Sequence, residues 1–406
     1  MIDNLAKQAY NLDVVPRAQV FIGRITIQMR SYFGRFLALL CALTLLTAPA
    51  RAASSHDALQ RQIDAFCQEC GVVGLSAAYV GGGAVKDTFA WGWATYPHDP
   101  MTADTSVRIA SISKVLVGIA AHLSAQAGKL DLDGPIDYAL GYYLAHRSTE
   151  DVITPRSILT HTSSIVPNPA ATGVFDGVIE LLSNPDSFYA AVSGNLKDWD
   201  YNNFAFYVLG LAIEKANGQT MDEILNPALC DPLGIDGSFW AGDLKDQSHI
   251  ATQYDKDHCA VLTVPMQTEI HNPGVAANGS VFAGNYHISA RDLGKIVATL
   301  AADGCYEGQQ ILDPAIVEAL EAHEDRLVPE QNFYQCQPLR CREELFGRKL
   351  LYYHTGSAYG AQCLICYDPE IGDGVVVLSC GGSGVDRYGL YRVCGKIAEL
   401  LLSDRL

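Results

Sequence analysis

The stretch "RIASISKVLVGIAAHL", Arg108 to Leu123, carries the strongest signal in this sequence. From Val115 onward it is almost entirely apolar, which predicts a buried helix because no polar face is left for solvent. Two polar side chains, Ser111 and Lys114, stand at its beginning, three residues apart and therefore on one side of a helical turn. A hydroxyl beside an amine at the start of a buried helix indicates chemistry as well as packing.

Ser111 and Lys114 form the only S-x-x-K in the chain. Free backbone N–H groups at a helix start favour negative charge that develops on the serine. Burial lowers the pKa of a lysine, so that its neutral amine becomes available as a base. Serine paired with lysine is an established variant of the serine nucleophile. On this stretch alone, a serine that caps the helix and a lysine whose amine reaches solvent are an equal alternative.

The composition bounds the function of the chain. It has 406 residues, of which 49% are hydrophobic, enough for one large core. Its formal net charge of −17 argues against nucleic acids and anionic membranes as partners, since both select basic surfaces. No G-x-x-x-x-G-K-[ST] loop, H-E-x-x-H motif or G-x-S-x-G elbow occurs. No motif thus indicates a metal or an organic cofactor, and we predict none; the partner that we predict is a small-molecule or peptide substrate, with the cell wall as one source.

The segment of residues 1–52 contains a signal peptide region. Arginines precede the apolar run Phe36–Thr47, and "APARAA" follows, in which Ala50 and Ala52 fit the small-x-small cleavage pattern. The run is shorter than the roughly 20 apolar residues that span a bilayer. We predict cleavage near Ala53 and no stable membrane span afterwards; an uncleaved membrane anchor is the alternative.

The first part of this segment, residues 1–28, lacks signal character, so we expect translation to start at Met29. A cleaved signal peptide would direct the chain out of the cytoplasm, to the periplasm or the medium. Residues 53–406 would then remain as one catalytic domain.

The sequence has 12 cysteines, four of which form two C-x-x-C pairs: Cys67 with Cys70, and Cys363 with Cys366. Zinc binding is one interpretation of such pairs. The second pair lies in a strand-like run, where side chains three residues apart point to opposite faces, so its sulfurs do not converge. We therefore interpret these cysteines as small buried hydrophobic residues. In an oxidising compartment, a local disulfide between Cys336 and Cys341 is a further interpretation.

Strand signals occur at both ends of the mature chain. "VVGLSAAYV" and "AVKDTFAWGWA" flank three glycines, and "AQCLICYD" and "GVVVLSCGG" flank a second turn, which predicts two hairpins. Between them, about residues 115–300 are mostly helical in pattern. A final amphipathic helix follows, and its inward-facing residues are Leu390, Val393, Ile397, Leu400 and Leu401. We predict an α+β fold: one antiparallel sheet built from both ends and flanked by helices, plus a helical subdomain.

Five longer segments resemble the serine beta-lactamase-related family, which comprises class C beta-lactamases, DD-peptidases, D-aminopeptidases and esterases of the same fold. In chain order they are "TSVRIASISKVLVGIAAHLSAQAGKLDLDGPI", "ITPRSILTHTSSIVP", "DWDYNNFAFYVLGLAIEKANGQTMDEIL", "GSVFAGNYHISARDLGKIVATL" and "YYHTGSAYGAQCLICYDPEIGDGVVVLS". The resemblance covers about residues 57–402. It implies the beta-lactamase and penicillin-binding-protein fold and an exported serine hydrolase without a cofactor.

The resemblance also implies a role for each motif residue. The S-x-x-K serine is the family's nucleophile, and the Y-x-N and H-T-G motifs complete the site. The residues concerned are Ser111, Lys114, Tyr201, Asn203, His354, Thr355, Gly356 and Ser357. By the same resemblance, the backbone N–H groups of Ser111 and Ser357 form the oxyanion hole.

Acyl transfer also needs a route for the proton of Ser111. We expect Lys114 and Tyr201 to share this proton, because each perturbs the other, and we assign the base to neither alone. Asn203 is expected to hydrogen-bond Lys114 or a substrate amide; a helix cap is the alternative. A histidine in a tight polar turn usually bonds to backbone, so His161 is predicted to be structural.

His354 departs from the lysine that class C beta-lactamases carry at this place. An imidazole has a pKa of about 6.5 and attracts a substrate carboxylate less strongly than an ammonium does. We therefore predict that an acyl-enzyme mechanism cleaves an ester, an amide or a D-amino-acid peptide bond. A beta-lactamase or DD-carboxypeptidase is the alternative enzyme. A penicillin-binding, cell-wall-sensing module without turnover is the alternative from another class.

Overall fold

The computed structural model describes residues 55–146 and 151–403. The predicted signal peptide within residues 1–52 and the expected start at Met29 lie outside these ranges. Among the described residues, no helix combines the length and the apolar character that a membrane crossing needs.

By its contacts the chain divides into two units, Met1–Leu59 and Gln60–Leu406. The strands all lie in the larger unit. In chain order they are β1 (Gly74–Gly81), β2 (Ala84–Thr95), β3 (Asp99–Pro100), β4 (Ser106–Arg108), β5 (Gln253–Tyr254), β6 (Ala260–Leu262), β7 (His287–Ser289), β8 (Cys305–Tyr306), β9 (Gln309–Gln310), β10 (Tyr334–Gln335), β11 (Arg340–Leu345), β12 (Arg348–Ala358), β13 (Ala361–Asp368) and β14 (Asp373–Cys380).

Eight of these strands form one antiparallel sheet with the order β10-β11-β12-β13-β14-β1-β2-β3. The remaining strands form short pairs, β4 with β7, β5 with β6 and β8 with β9. The helices are α1 (55–70), α2 (Ser113–Gln126), α3 (Ile136–Leu140), α4 (Pro155–Leu159), α5 (Phe175–Leu182), α6 (Asn203–Asn217), α7 (Met221–Leu225), α8 (Asp231–Leu233), α9 (Val264–Thr268), α10 (Ala290–Ala301), α11 (Pro314–Glu321) and α12 (Arg392–Ser403).

The first and the last strand, β1 and β14, pair with each other inside the sheet. Both strands are buried along their whole length. Because successive strand side chains point to opposite faces, both faces must be covered, and α10 and α12 pack there. The β1–β2 turn places Gly82 and Gly83 at positive φ, which glycine adopts without strain. The predicted α+β fold, with one antiparallel sheet and flanking helices, is confirmed.

Helix α2 links this sheet to the helical part of the chain. Its residues from Ser113 to His122 are buried without interruption, because α6, α7 and α11 pack around it. The turn Ala110–Ile112, directly before α2, lies instead against β12 and β13. The beginning of α2 therefore stands where the sheet meets the helices.

Candidate active site

Ser111 lies in the 3-10 turn Ala110–Ile112, and α2 begins only at Ser113. The prediction that Ser111 occupies the first turn of the α-helix is therefore wrong by two residues. Ala110 has a φ of 49°, in the left-handed region that non-glycine residues rarely adopt. Ser113 holds this turn: its Oγ donates to the Ala110 carbonyl over 2.6 Å and accepts from the Tyr286 N–H over 2.9 Å.

Lys114 is 0% exposed, and its ammonium donates three hydrogen bonds. The acceptors are Ser111 Oγ at 3.3 Å, Asn203 Oδ1 at 2.8 Å and the Ala283 carbonyl at 2.6 Å. Burial lowers the pKa of Lys114, and the Arg340 and Arg108 guanidinium groups lower it further, while Tyr201 opposes them. The chain thus places a buried amine with a depressed pKa beside the Ser111 hydroxyl.

Tyr201, just before α6, joins this pair. Its hydroxyl hydrogen-bonds both Ser111 and Lys114, and Lys114 Nζ lies 5.0 Å from its ring centroid. Burial raises the pKa of Tyr201, but Lys114, the two hydrogen bonds and Arg340 together lower it below its ordinary value. The structure therefore brings three of the predicted site residues into direct contact.

Asn203 is the first residue of α6, and its amide oxygen faces Lys114. The helix is capped by the preceding residue, because Asn202 Oδ1 accepts from the Ala205 N–H over 3.0 Å. The alternative that Asn203 is a helix cap is therefore wrong. Of its two expected partners, the structure shows Lys114.

His161 packs its ring on that of Tyr201, with 4.4 Å between the centroids. Its Nδ1 accepts from the Asn202 N–H over 3.1 Å, so the predicted bond from His161 to backbone is confirmed. Burial, followed by the positive charges of Lys114 and Arg340, holds the pKa of His161 well below its ordinary value. His161 is thus a neutral wall behind the Tyr201 ring.

His354 lies on β12 and is only 1% exposed. Its Nδ1 donates to the Thr355 carbonyl over 2.8 Å, and its Nε2 has no partner among the described residues. Burial, Arg340 and Lys114 hold the pKa of His354 well below its ordinary value, so the imidazole is neutral at pH 7. The structure thus buries the imidazole of His354, which its motif predicts to contribute to substrate binding.

The H-T-G glycine sets the distance between β12 and the turn that carries Ser111. A Cβ on Gly356 would lie 2.2 Å from the Ile109 carbonyl oxygen, so any other residue would push the two segments apart. Beyond Gly356, the exposed Ser357 continues β12 beside the same turn, and its hydroxyl hydrogen-bonds Tyr391. Thr355 is half-buried between these residues and His354.

Arg340, the first residue of β11, belongs to no sequence motif and was not among the predicted site residues. Its guanidinium carbon lies 5.4 Å from the Tyr201 ring centroid and 4.5 Å from that of Phe333. Arg340 pairs with Tyr353 and therefore lies beside β12, the strand that contains the H-T-G motif. No carboxylate of the described residues forms an ion pair with it, and its Nε has no hydrogen-bond partner there. Arg340 is therefore a permanent cation at the site without a counter-ion among these residues.

The four cysteines of the C-x-x-C pairs are buried thiols: Cys67, Cys70, Cys363 and Cys366. Within residues 55–146 and 151–403, neither pair belongs to a group of three metal-ligating side chains. Their interpretation as buried hydrophobic residues agrees with this placement.

Comparison with known proteins assigns this arrangement to a family. A sequence model of the family described as Beta-lactamase matches residues 59–392. Esterase EstB from Burkholderia gladioli is 28% identical over 156 residues, which are 34% of this chain. The match spans 38% of the esterase's own length, so it does not extend to the whole of that relative.

Solved structures share the fold. The octameric penicillin-binding protein homologue from Pyrococcus abyssi has a TM-score of 0.68 at 23% identity, over 86% of this chain and 76% of its own. A beta-lactamase/D-alanine carboxypeptidase from Pseudomonas syringae has a TM-score of 0.68 at 18% identity, over 87% of this chain and 99% of its own. At these identities the likeness establishes the fold alone.

Proposed function

Because the chain belongs to the beta-lactamase family and is a serine hydrolase, we propose that it cleaves an ester, an amide or a D-amino-acid peptide bond through an acyl-enzyme on Ser111. The observation that carries this proposal is the position of Lys114, a buried amine within 3.3 Å of the Ser111 hydroxyl oxygen. The partial match to an esterase supports the ester among these bonds.

The other partners of Lys114 determine where its lone pair points. Asn203 Oδ1 and the Ala283 carbonyl can only accept hydrogen bonds. When Lys114 is neutral, its two remaining N–H groups stay on these two acceptors, so that the lone pair faces the Ser111 and Tyr201 hydroxyls. The amine can then take the serine proton as the oxygen attacks the substrate carbonyl.

Tyr201 completes the proton route. Its hydroxyl touches both Ser111 and Lys114, so a proton taken from the serine can pass through the phenol to the leaving group. In deacylation, the same coupled pair takes a proton from water and returns one to Ser111. The base is therefore the pair of Lys114 and Tyr201 and not one member of it.

The backbone N–H groups of Ser111 and Ser357 are the proposed donors to the oxyanion. β12 lies against the turn Ala110–Ile112, and Gly356 is the residue that permits this approach. Fixed backbone donors stabilise the tetrahedral intermediate without reorganisation during the reaction.

Arg340 favours a second candidate, a carboxypeptidase-type activity on substrates that end in a free carboxylate. His354 is neutral and buried, so it supplies no positive charge. Arg340 supplies a permanent one, held by the Tyr201 and Phe333 rings and without an ion pair to any carboxylate that the structure describes. A peptide that ends in a D-amino acid carries such a carboxylate.

Steady-state assays with a p-nitrophenyl ester, a D-alanyl-D-alanine peptide and a penicillin test the proposal. We expect multiple turnovers of the ester or the peptide, and a loss of about 10³-fold or more in Ser111→Ala. Full activity of Ser111→Ala would contradict the proposal. A single burst without further turnover on all three substrates would favour the penicillin-binding module.

The role of Arg340 has its own test. In Arg340→Met we expect the KM for the D-alanyl-D-alanine peptide to rise about tenfold or more, since a charge-assisted hydrogen bond is lost. The KM for the uncharged ester should stay unchanged, and Arg340→Lys should recover part of the loss. An equal rise in KM for the peptide and for the ester would contradict carboxylate recognition.

We further infer that the chain is exported after cleavage near Ala53. The support is in the sequence, where arginines precede the apolar run Phe36–Thr47 and small residues follow it. N-terminal sequencing of the protein from the cell exterior or periplasm should begin near Ala53. Recovery of residues 1–28 on a cytoplasmic product would contradict both the export and the start at Met29.

A further inference from the structure

Three potential metal ligands converge at the edge of the sheet that carries β10 and β11. They are His323, Cys336 and Cys341, and their nitrogen and sulfur atoms all lie within 4.8 Å of one another. His323 follows the end of α11, Cys336 follows β10, and Cys341 is the second residue of β11. The cluster is therefore assembled by the fold from three separate segments.

The geometry of this cluster resembles that of a tetrahedral metal site. Cys341 Sγ lies 3.7 Å from His323 Nδ1 and 3.8 Å from Nε2, and the Cys336 and Cys341 thiols contact each other. Zn²⁺ binds thiolate at about 2.3 Å and imidazole at about 2.0 Å, so neighbouring ligand atoms in a tetrahedron lie roughly 3.5 to 3.8 Å apart. The ligand spacing therefore needs little adjustment.

The imidazole has the tautomer that a metal ligand would have. His323 Nδ1 donates to the Glu321 carbonyl over 3.0 Å, which leaves the lone pair on Nε2. A metal-binding histidine usually donates its other N–H to a carbonyl or a carboxylate in this way. The Tyr334 ring packs against the imidazole, with 5.1 Å between the centroids.

We propose that His323, Cys336 and Cys341 bind one Zn²⁺ ion with a fourth, solvent-facing coordination position. Two thiols and an imidazole are ligands that bind zinc, whereas magnesium and calcium bind oxygen ligands. Cys336 and Cys341 are buried, whereas His323 is exposed and lines an open cavity of about 460 Å³, which gives the ion a path of access. Binding releases the two thiol protons and involves no oxidant.

The zinc ion would fasten the end of α11 to the β10–β11 edge of the sheet. Cys341 directly follows Arg340, so the ion would also hold the strand whose first residue contacts Tyr201. The site is distinct from the Ser111 cleft, and the proposal holds whether or not the chain is a hydrolase of the kind proposed above.

Titration of the chelator-treated full chain, kept reduced with a phosphine, tests the proposal. Zn²⁺ is added in competition with a chromophoric chelator, and Co²⁺ is used in parallel as a spectroscopic probe. We expect one zinc ion per chain and a thiolate-to-cobalt charge-transfer band with tetrahedral d–d transitions. Absence of stoichiometric binding by the reduced chain would overturn the proposal.

Variants locate the site. Cys336→Ser and Cys341→Ser should each abolish the charge-transfer band or halve its intensity, and His323→Ala should lower zinc affinity about 100-fold or more, since loss of a ligand exceeds the effect of an outer-shell partner. Exposed Cys259→Ser and His98→Ala are matched controls that should bind as the wild type. Because His323 is exposed, its variant remains informative even where a buried cysteine variant fails to fold.

The competing fate of the two thiols is a disulfide between Cys336 and Cys341. Intact mass measurement before and after the phosphine distinguishes it, because a disulfide lacks two hydrogens. A disulfide that persists in the reductant, or zinc affinity unchanged in His323→Ala, would overturn the proposal.

Discussion

Lys114 is fully buried and is also the proposed proton acceptor, so it must be stable in both its charged and its neutral form. A buried ammonium costs free energy unless its hydrogen bonds are satisfied. Asn203, Ala283 and Ser111 accept hydrogen bonds from Lys114, and the Tyr201 hydroxyl is a further partner, which makes the burial tolerable. The same burial depresses the pKa of Lys114, and the neutral amine that forms keeps its two acceptor-only partners. The residue is thus held in place in both protonation states.

Substitution of Tyr201 separates proton transfer from packing. Tyr201→Phe keeps the ring that packs on His161 but removes the hydroxyl that touches Ser111 and Lys114. We expect kcat/KM for the ester to fall about 10²- to 10⁴-fold, the usual size of a general acid–base contribution. The melting temperature should change little, and the exposed Tyr138→Phe should match the wild type in both. Unchanged kcat/KM in Tyr201→Phe would remove the phenol from the mechanism.

The pH dependence of kcat/KM should report the effect of the Arg340 charge on Lys114 and Tyr201. Activity requires the deprotonated pair of Lys114 and Tyr201, so kcat/KM for an uncharged ester should rise with pH and level off. Arg340 lowers the pKa of both groups, so in Arg340→Met the rising limb should move to higher pH. Arg340→Lys should keep the limb near its wild-type position. A limb that stays in place or moves to lower pH in Arg340→Met would contradict this coupling.

Local motifs explain which site residues the sequence revealed. Ser111 and Lys114 are one helical turn apart, so their contact follows from spacing alone. Arg340 has no motif, because its contact with Tyr201 arises from the register that pairs it with Tyr353. The burial of His354 likewise depends on packing from a distant segment, which a residue type cannot disclose.

At the scale of elements, β12 and the turn Ala110–Ile112 must be closely spaced. Gly356 lies where this spacing is tightest, beside the Ile109 carbonyl. The turn itself is strained at Ala110 and is held by hydrogen bonds of Ser113. Displacement of either element would move the proposed oxyanion donors relative to the nucleophile.

Gly356→Ala tests this arrangement. The added Cβ would lie 2.2 Å from the Ile109 carbonyl oxygen, so β12 must move. We expect a loss of about 1–3 kcal/mol in the free energy of unfolding. Because small misplacements of reacting groups cost about 10²-fold, kcat should fall by a similar factor. Gly177→Ala is the matched control, since its Cβ would meet Thr172 Oγ1 at an ordinary 3.5 Å. Wild-type kcat in Gly356→Ala would contradict the need for close approach.

The sequence predicted elements where a single periodicity governs several residues. Both hairpins follow from paired strand-like apolar runs around a turn, and the structure contains them as β1–β2 and β13–β14. Of the residues predicted to face inward from the last helix, Val393, Ile397 and Leu401 are buried and Leu400 is half-buried. The start of α2 was misplaced because a 3-10 turn and an α-helical turn have similar patterns over three residues.

At the scale of the whole molecule, burial of ionisable groups makes stability depend on pH. His122 on α2 is 5% exposed, and burial, together with Arg156, lowers its pKa to about 4. An unfolded histidine titrates at about 6.5. Between these values the unfolded chain binds more protons than the folded one, so this contribution to stability is lost as the pH falls from about 6.5 to 4.

His122→Leu should remove this contribution. Between pH 8 and pH 5 the variant should lose about 2 kcal/mol less free energy of unfolding than the wild type, from the difference in the two pKa values. Urea unfolding at both pH values measures it, and other titrating groups cancel because both proteins carry them. The exposed His98→Leu is the control. Equal losses in the wild type and His122→Leu would show that His122 is not buried as described.

Covalent capture of the acyl-enzyme tests the central claim most directly. The purified chain is exposed to an activated ester, and separately to a penicillin, then quenched in acid and examined by intact mass spectrometry and peptide mapping. We predict that the ester adds one acyl group, mapped to Ser111, and that Ser111→Ala acquires none. Equal labelling of Ser111→Ala, or an acyl group mapped to a different residue, would contradict the account.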